Sequence, residues 1–113
     1  MKKFLIVLPA LLALQPVTAG AGQTERTEFE TWCRQGSASA SGACLAYLLA
    51  ARDVLTQDSI EGVRACLPDA VKLGELQRIV LEWLAANPDA RSASALGLVA
   101  RAYAARFPCA TPK

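Results

Sequence analysis

The chain contains no histidine. That removes the usual general base, the usual proton shuttle and the commonest metal ligand. Ser37, Ser39 and Ser41 therefore lack the base that a nucleophilic serine needs. Asp53 and Asp58 have no evident acid–base partner arrangement. Cys-x-x-Cys is absent too, which argues against a thioredoxin-type site, and the four cysteines lack the paired spacing of a zinc centre. Aromatic and β-branched residues are scarce beside alanine and leucine, a balance that favours helix over strand. No internal repeat is present. Together the absences point away from catalysis, call for no cofactor or metal, and leave a binding module.

What is there begins with Met1-Lys2-Lys3, a positive start, followed by an apolar run from Phe4 to Leu14 broken only by Pro9. Small residues at Val17-Thr18-Ala19 and Ala19-Gly20-Ala21 follow, in the A-x-A pattern of an export signal. The run is shorter than the roughly 20 residues a membrane span requires. Residues 1–21 are therefore expected to be a signal peptide cleaved after Ala19 or Ala21, and residues 22–113 a single domain. No cysteine stands at the cleavage point, so no lipid anchor is expected. The mature protein should be periplasmic or secreted and free of the membrane. Losing Lys2 and Lys3 leaves ten basic against ten acidic residues. No basic stripe remains to attract phosphates, so nucleic acid is not an expected partner.

The spacing of apolar residues predicts four helices, an all-α, four-helix bundle-like domain. Thr27 and Glu30 have capping-box spacing, with Phe29, Trp32 and Cys33 on one face of a short first helix. Gln35 to Gly42 reads as a loop. A second helix is expected over residues 42–56, with Cys44, Leu48, Ala51 and Leu55 as its stripe. Arg64 to Leu67 reads as a short extended stretch before Pro68. A third helix is expected over 73–86, with Leu73, Leu76, Ile79, Val80, Trp83 and Leu84 inward. A fourth over 92–106 carries Leu96, Val99, Ala100, Tyr103 and Phe107. Tyr47 and Trp83 read as core aromatics.

An even number of cysteines in a short exported chain implies two disulfides among Cys33, Cys44, Cys66 and Cys109. Three pairings are open. Antiparallel third and fourth helices bring Cys109 towards Cys66, and Cys33 could meet Cys44 across the first loop. If all four gather at one end of the bundle, Cys44–Cys66 with Cys33–Cys109 is equally reachable, and this last pairing is favoured.

Several short motifs stand in order: Cys44-x-x-Tyr47-Leu48, Asp53, Cys66-Leu67-Pro68, Gly74-Glu75-Leu76, Val80-x-x-Trp83-Leu84-x-x-Asn87-Pro88, Ala95-Leu96 and Phe107-Pro108-Cys109. In this order and spacing the chain resembles the Rap/Tai family of type VI secretion immunity proteins, over roughly Phe29 to Cys109. The resemblance implies a small all-α periplasmic protein, often a homodimer, whose partner is a secreted peptidoglycan amidase toxin. Such members block the toxin's active-site cleft and do no chemistry themselves. Two positions depart from the pattern: Ala50 stands for a usual glycine, and Lys72, a poor N-cap, for a usual threonine.

The connection Asn87-Pro88-Asp89-Ala90-Arg91-Ser92 is the candidate partner-contacting loop. It is polar, stiffened by Pro88 and carries both charges, and Asn87, Pro88, Asp89, Arg91 and Ser92 are its candidate contact residues. The competing view is a plain helix–helix turn with Asp89 or Ser92 capping the fourth helix. A rival function is a periplasmic stress chaperone. In acid, ten basic residues against neutralised carboxylates would loosen the bundle and expose its apolar faces.

Overall fold

The structure, a computed structural model, describes residues 24–110. The expected signal segment lies outside them. The four helices are α1 (Arg26–Arg34), α2 (Ala38–Leu55), α3 (Leu73–Ala86) and α4 (Ala95–Arg106). No strand forms among the described residues, and the expected extended stretch at 64–67 has no regular structure. None of these helices is long and apolar enough to cross a membrane.

The predicted stripes are the buried ones. Cys44, Leu48, Ala51 and Leu55 of α2 are buried, as are Leu76, Ile79, Val80 and Leu84 of α3. Leu73 and Trp83 sit half-buried at the margin. Helix α4 is enclosed more completely than its stripe suggests. Val99, Ala100 and Tyr103 are joined in the core by Ala95, Gly97, Leu98 and Ala102, while Leu96 and Phe107 remain half-buried. A helix rich in alanine and glycine can be surrounded because small side chains let neighbours approach from several sides.

Three helix starts differ from expectation. Helix α1 begins at Arg26, so Thr27 falls inside its first turn, and Glu25 takes the N-cap position without a side-chain bond. Helix α2 begins at Ala38, where the Ser37 side chain accepts from the Ala40 amide at 3.2 Å. The Ser/Ala-rich segment read as loop is thus largely helix, where alanine outweighs the weaker propensities of Ser39, Ser41 and Gly42. Helix α4 begins at Ala95, capped by Ser94, which accepts from the Gly97 amide at 3.3 Å. Neither Asp89 nor Ser92 is that cap. Helix α3 matches its predicted range. Lys72 gives it no side-chain cap, but the Lys72 carbonyl accepts from the Glu75 and Leu76 amides, both at 3.0 Å.

The disulfides are Cys33–Cys44 and Cys66–Cys109, each with Cα atoms 4.9 Å apart. This corrects the favoured Cys44–Cys66 and Cys33–Cys109 pairing. The early start of α2 leaves only Gln35–Ser37 between α1 and α2. Two helices joined so briefly run antiparallel, and Cys33 and Cys44 then face each other locally. The second bridge follows from the strap before α3, where the Cys66 amide donates to the Phe107 carbonyl at 2.8 Å and so holds Cys66 beside Cys109. All four sulfurs are used in these bonds.

Phe29, Trp32 and Tyr47 join α1 to α2, with ring centroids 5.7 and 5.8 Å from Tyr47. Tyr103 ties α4 to α2, its hydroxyl donating to the Leu48 carbonyl at 2.9 Å. Burial raises the Tyr103 phenol above its ordinary pKa, and the nearby Arg52 charge opposes the shift without cancelling it. The folded state therefore holds the neutral phenol where the unfolded chain would ionise at about pH 10. That contribution to stability is complete below about pH 10 and is lost as the pH rises through and above that value. Tyr103→Phe should cost about 1 kcal/mol at neutral pH through the missing hydrogen bond, yet show a shallower alkaline loss than the parent. Urea midpoints measured from about pH 7 to about pH 11 check this; parallel curves would contradict it.

Candidate functional site

The predicted contact residues lie together at one end of the bundle, where α3 hands over to α4. Asn87 ends α3. Its side-chain amide donates to the Trp83 carbonyl at 2.8 Å and its backbone amide to the Leu84 carbonyl at 3.2 Å. The Ala90 amide then donates to the Asn87 carbonyl at 3.1 Å, closing a turn over Pro88 and Asp89. Pro88, Asp89, Arg91 and Ala93 are exposed, and Asn87, Ala90 and Ser92 are half-buried. The connection is therefore outward-facing but internally bonded.

Arg26 fixes it from the other side. The guanidinium Nη1 donates to the Asn87 carbonyl at 2.7 Å and the Ala90 carbonyl at 3.1 Å, and Nη2 donates to the Leu84 carbonyl at 2.7 Å. The same Nη2 reaches the Glu30 carboxylate at 3.4 Å. One side chain on α1 thus ties together the Leu84 carbonyl in the last turn of α3 and the Asn87 and Ala90 carbonyls of the connection beyond it. Its planar fork and permanent charge suit that task.

Arg91 donates back to the Pro88 and Ala90 carbonyls at 3.2 and 2.9 Å. Arg101 of α4 donates to the Arg91 carbonyl at 2.8 Å while its guanidinium lies 5.3 Å from the centre of the Trp83 ring. At the far end Glu61 accepts from the Ala93 amide at 3.1 Å and the Ser94 hydroxyl at 2.8 Å. Thr24 accepts from the Ala95 amide at 2.8 Å through its carbonyl, and its hydroxyl meets that of Tyr47.

Between the loop and the start of α1 runs a groove of about 560 Å³, lined among others by Arg26, Glu30, Pro88, Arg91 and Ser92 with Leu98 at its base. Asp89 stands outside the groove, in solvent. The arrangement supplies a charged, preformed surface with little conformational freedom left to lose, which is what tight protein recognition uses.

Sequence reasoning located the loop but not what holds it. Arg26 carried no signal, because its three carbonyl partners lie about 60 residues away and carbonyls leave no mark in a sequence. The cap of α4 is Ser94, two residues beyond the expected Ser92. Glu61 had one faint sign, the glycine at position 62, since an X-Gly pair marks a tight turn.

The profile of the Rap1a immunity proteins matches residues 25–109. The chain belongs to this family. No curated protein and no solved structure matches it. As a Rap1a-type immunity protein it is a member of a generally non-enzymatic group, and membership implies a toxin as its binding partner. The motifs from Cys44-x-x-Tyr47 to Phe107-Pro108-Cys109 all fall within the matched span. In the fold they act as framework: disulfide sulfurs, the aromatic joint at Tyr47, the cation–π partner at Trp83 and the end of α3. The two disulfides fit an oxidising compartment outside the cytosol.

Proposed function

We propose that this chain is a periplasmic immunity protein that binds a type VI secreted peptidoglycan amidase and occludes its active-site cleft. Residues 1–21 serve as the export signal and residues 22–113 form the mature inhibitor. The reading is carried by Rap1a family membership together with an exposed connection whose backbone is already bonded in place. Asn87, Pro88, Asp89, Arg91 and Ser92 make the contact. Inhibition is steric, and the cell that makes the protein is protected from its own toxin and from that of its kin.

The test is a capture of amidases encoded near the gene by the mature, oxidised protein, with peptidoglycan hydrolysis as the readout. Capture with loss of hydrolysis is expected. Failure to capture any amidase, or capture with hydrolysis intact, would overturn the assignment. Charge reversal at Asp89 should weaken capture roughly tenfold to a hundredfold, the range of a centrally placed interface charge. Because Asp89 is exposed and makes no ion pair among the described residues, its melting temperature should stay near that of the parent. A matching loss of both would mean that the loop is only structural.

A further inference from the structure

Residues Ile60 to Val63 form a two-residue turn closed by both Ile60–Val63 backbone bonds, each 2.9 Å. Its central residues, Glu61 and Gly62, have φ of 51° and 80°. Gly62 adopts this conformation without steric cost, but a glutamate does not. Glu61 is the one non-glycine residue with positive φ among the described residues. A non-glycine residue is held so only where its surroundings over-determine it.

The surroundings are the start of α4. The strained backbone aims the Glu61 carboxylate at the Ala93 amide and the Ser94 hydroxyl, at 3.1 and 2.8 Å. Ser94 in turn caps the Gly97 amide. A carboxylate at this end of a helix is also favoured by the helix dipole. The carboxylate lies so close to Gly97 that a Cβ there would overlap it. Three separate features, a left-handed glutamate, a serine cap and a missing side chain, therefore serve one contact. The glutamate stands more than 30 residues before the other two in the sequence.

We propose that Glu61 is the positioning residue of the recognition loop. It fixes the C-terminal end of the Asn87–Ser94 connection as Arg26 fixes the other end, so that the loop meets its partner already in the bound conformation. This rests on the loop being the toxin-contacting surface, as proposed above. Without the carboxylate the competent conformation becomes a fraction of the free population, and apparent affinity falls by that fraction.

Amide exchange and amidase affinity measured on E61G, E61Q and G97A separate the possibilities. E61G relieves the backbone strain, so it folds while removing the carboxylate. G97A keeps the carboxylate but displaces it, and alanine's better helix propensity offsets lost capping. In both, the amidase dissociation constant should rise about tenfold, as expected if the competent loop falls to about a tenth of the population, and the Ala93 amide should exchange more than tenfold faster because the open form becomes the major one. E61Q, which keeps one acceptor oxygen of the same reach but replaces the other by an NH2 donor and loses the charge, should fall between E61G and the parent in both. Unchanged Ala93 exchange in E61G and G97A would overturn the proposal, as would faster exchange with undiminished binding. If the parent binds no amidase, the immunity assignment falls, while the exchange rates still decide whether Glu61 fixes the loop.

Discussion

Reduction of both disulfides should leave the domain largely unfolded at 37 °C. The Cys33–Cys44 and Cys66–Cys109 bridges join residues 11 and 43 apart. In the chain-entropy treatment these loops are worth about 3 and about 4 kcal/mol. A domain of roughly 90 residues has about 5–13 kcal/mol in total, so together the bridges account for half or more of what holds it folded. The two should also differ in kinetics. Cys33 and Cys44 are 7% and 1% exposed, whereas Cys66 is exposed and Cys109 half-buried. An attacking thiolate reaches the second bridge without prior opening of the core. Titration with a dithiol should reduce Cys66–Cys109 first, and far-ultraviolet circular dichroism should then show a destabilised but helical intermediate. Removing the pair Cys66 and Cys109 by substitution with alanine should cost more than removing Cys33 and Cys44. Equal costs, or full helicity and an unchanged melting point after complete reduction, would refute this ranking.

The same bridges show where the sequence was legible and where it was not. Periodicity located the buried face of α2 and both ends of α3, because Pro88 and the dense apolar spacing of Leu76, Ile79, Val80 and Leu84 leave few alternatives. The error in pairing the cysteines came from one boundary. With α2 placed from Gly42, Cys44 seemed to start the helix and could turn towards Cys66. With α2 beginning at Ala38, Cys44 lies in its second turn, opposite Cys33. Alanine-rich segments blur such boundaries, since serine and glycine among them read as loop while alanine supports helix. The candidate loop was visible through Asn87-Pro88 and its charges. Its supports were not, because Arg26 acts on backbone carbonyls, which impose no residue pattern, and Glu61 through a left-handed backbone whose single trace is Gly62. Leu98 is 1% exposed beneath the groove and so belongs to the core.

Arg26→Ala should be the most damaging single change on the surface of the protein. The side chain is only 13% exposed, and its guanidinium serves the Leu84, Asn87 and Ala90 carbonyls at once. Hydrogen bonds from a charged donor contribute about 1.5–3 kcal/mol each. Water can reach part of the vacated space through the adjoining groove, so the three do not sum, and a loss of about 2–4 kcal/mol is expected. Arg26→Lys should recover little of it. An ammonium is a single point of donation and cannot span three carbonyls arranged around a planar fork. The Arg26–Glu30 pair contributes little by comparison, being a long contact at the edge of solvent, so Glu30→Gln should cost well under 1 kcal/mol. These three variants, compared by urea unfolding, distinguish a fork that binds carbonyls from a simple ion pair. If Glu30→Gln matched Arg26→Ala, or if lysine fully replaced arginine, the carbonyl clamp would not be what anchors the loop. Its consequence for binding follows from its place in the chain. Arg26 holds the start of the connection and sits before Phe29, which is fully buried between α1 and its neighbours. Loss of the clamp therefore frees the loop while leaving the Phe29 anchor and both disulfides in place. Toxin affinity should fall by more than the fraction of protein unfolded, and that excess measures how much of the binding energy depends on a loop that is already set.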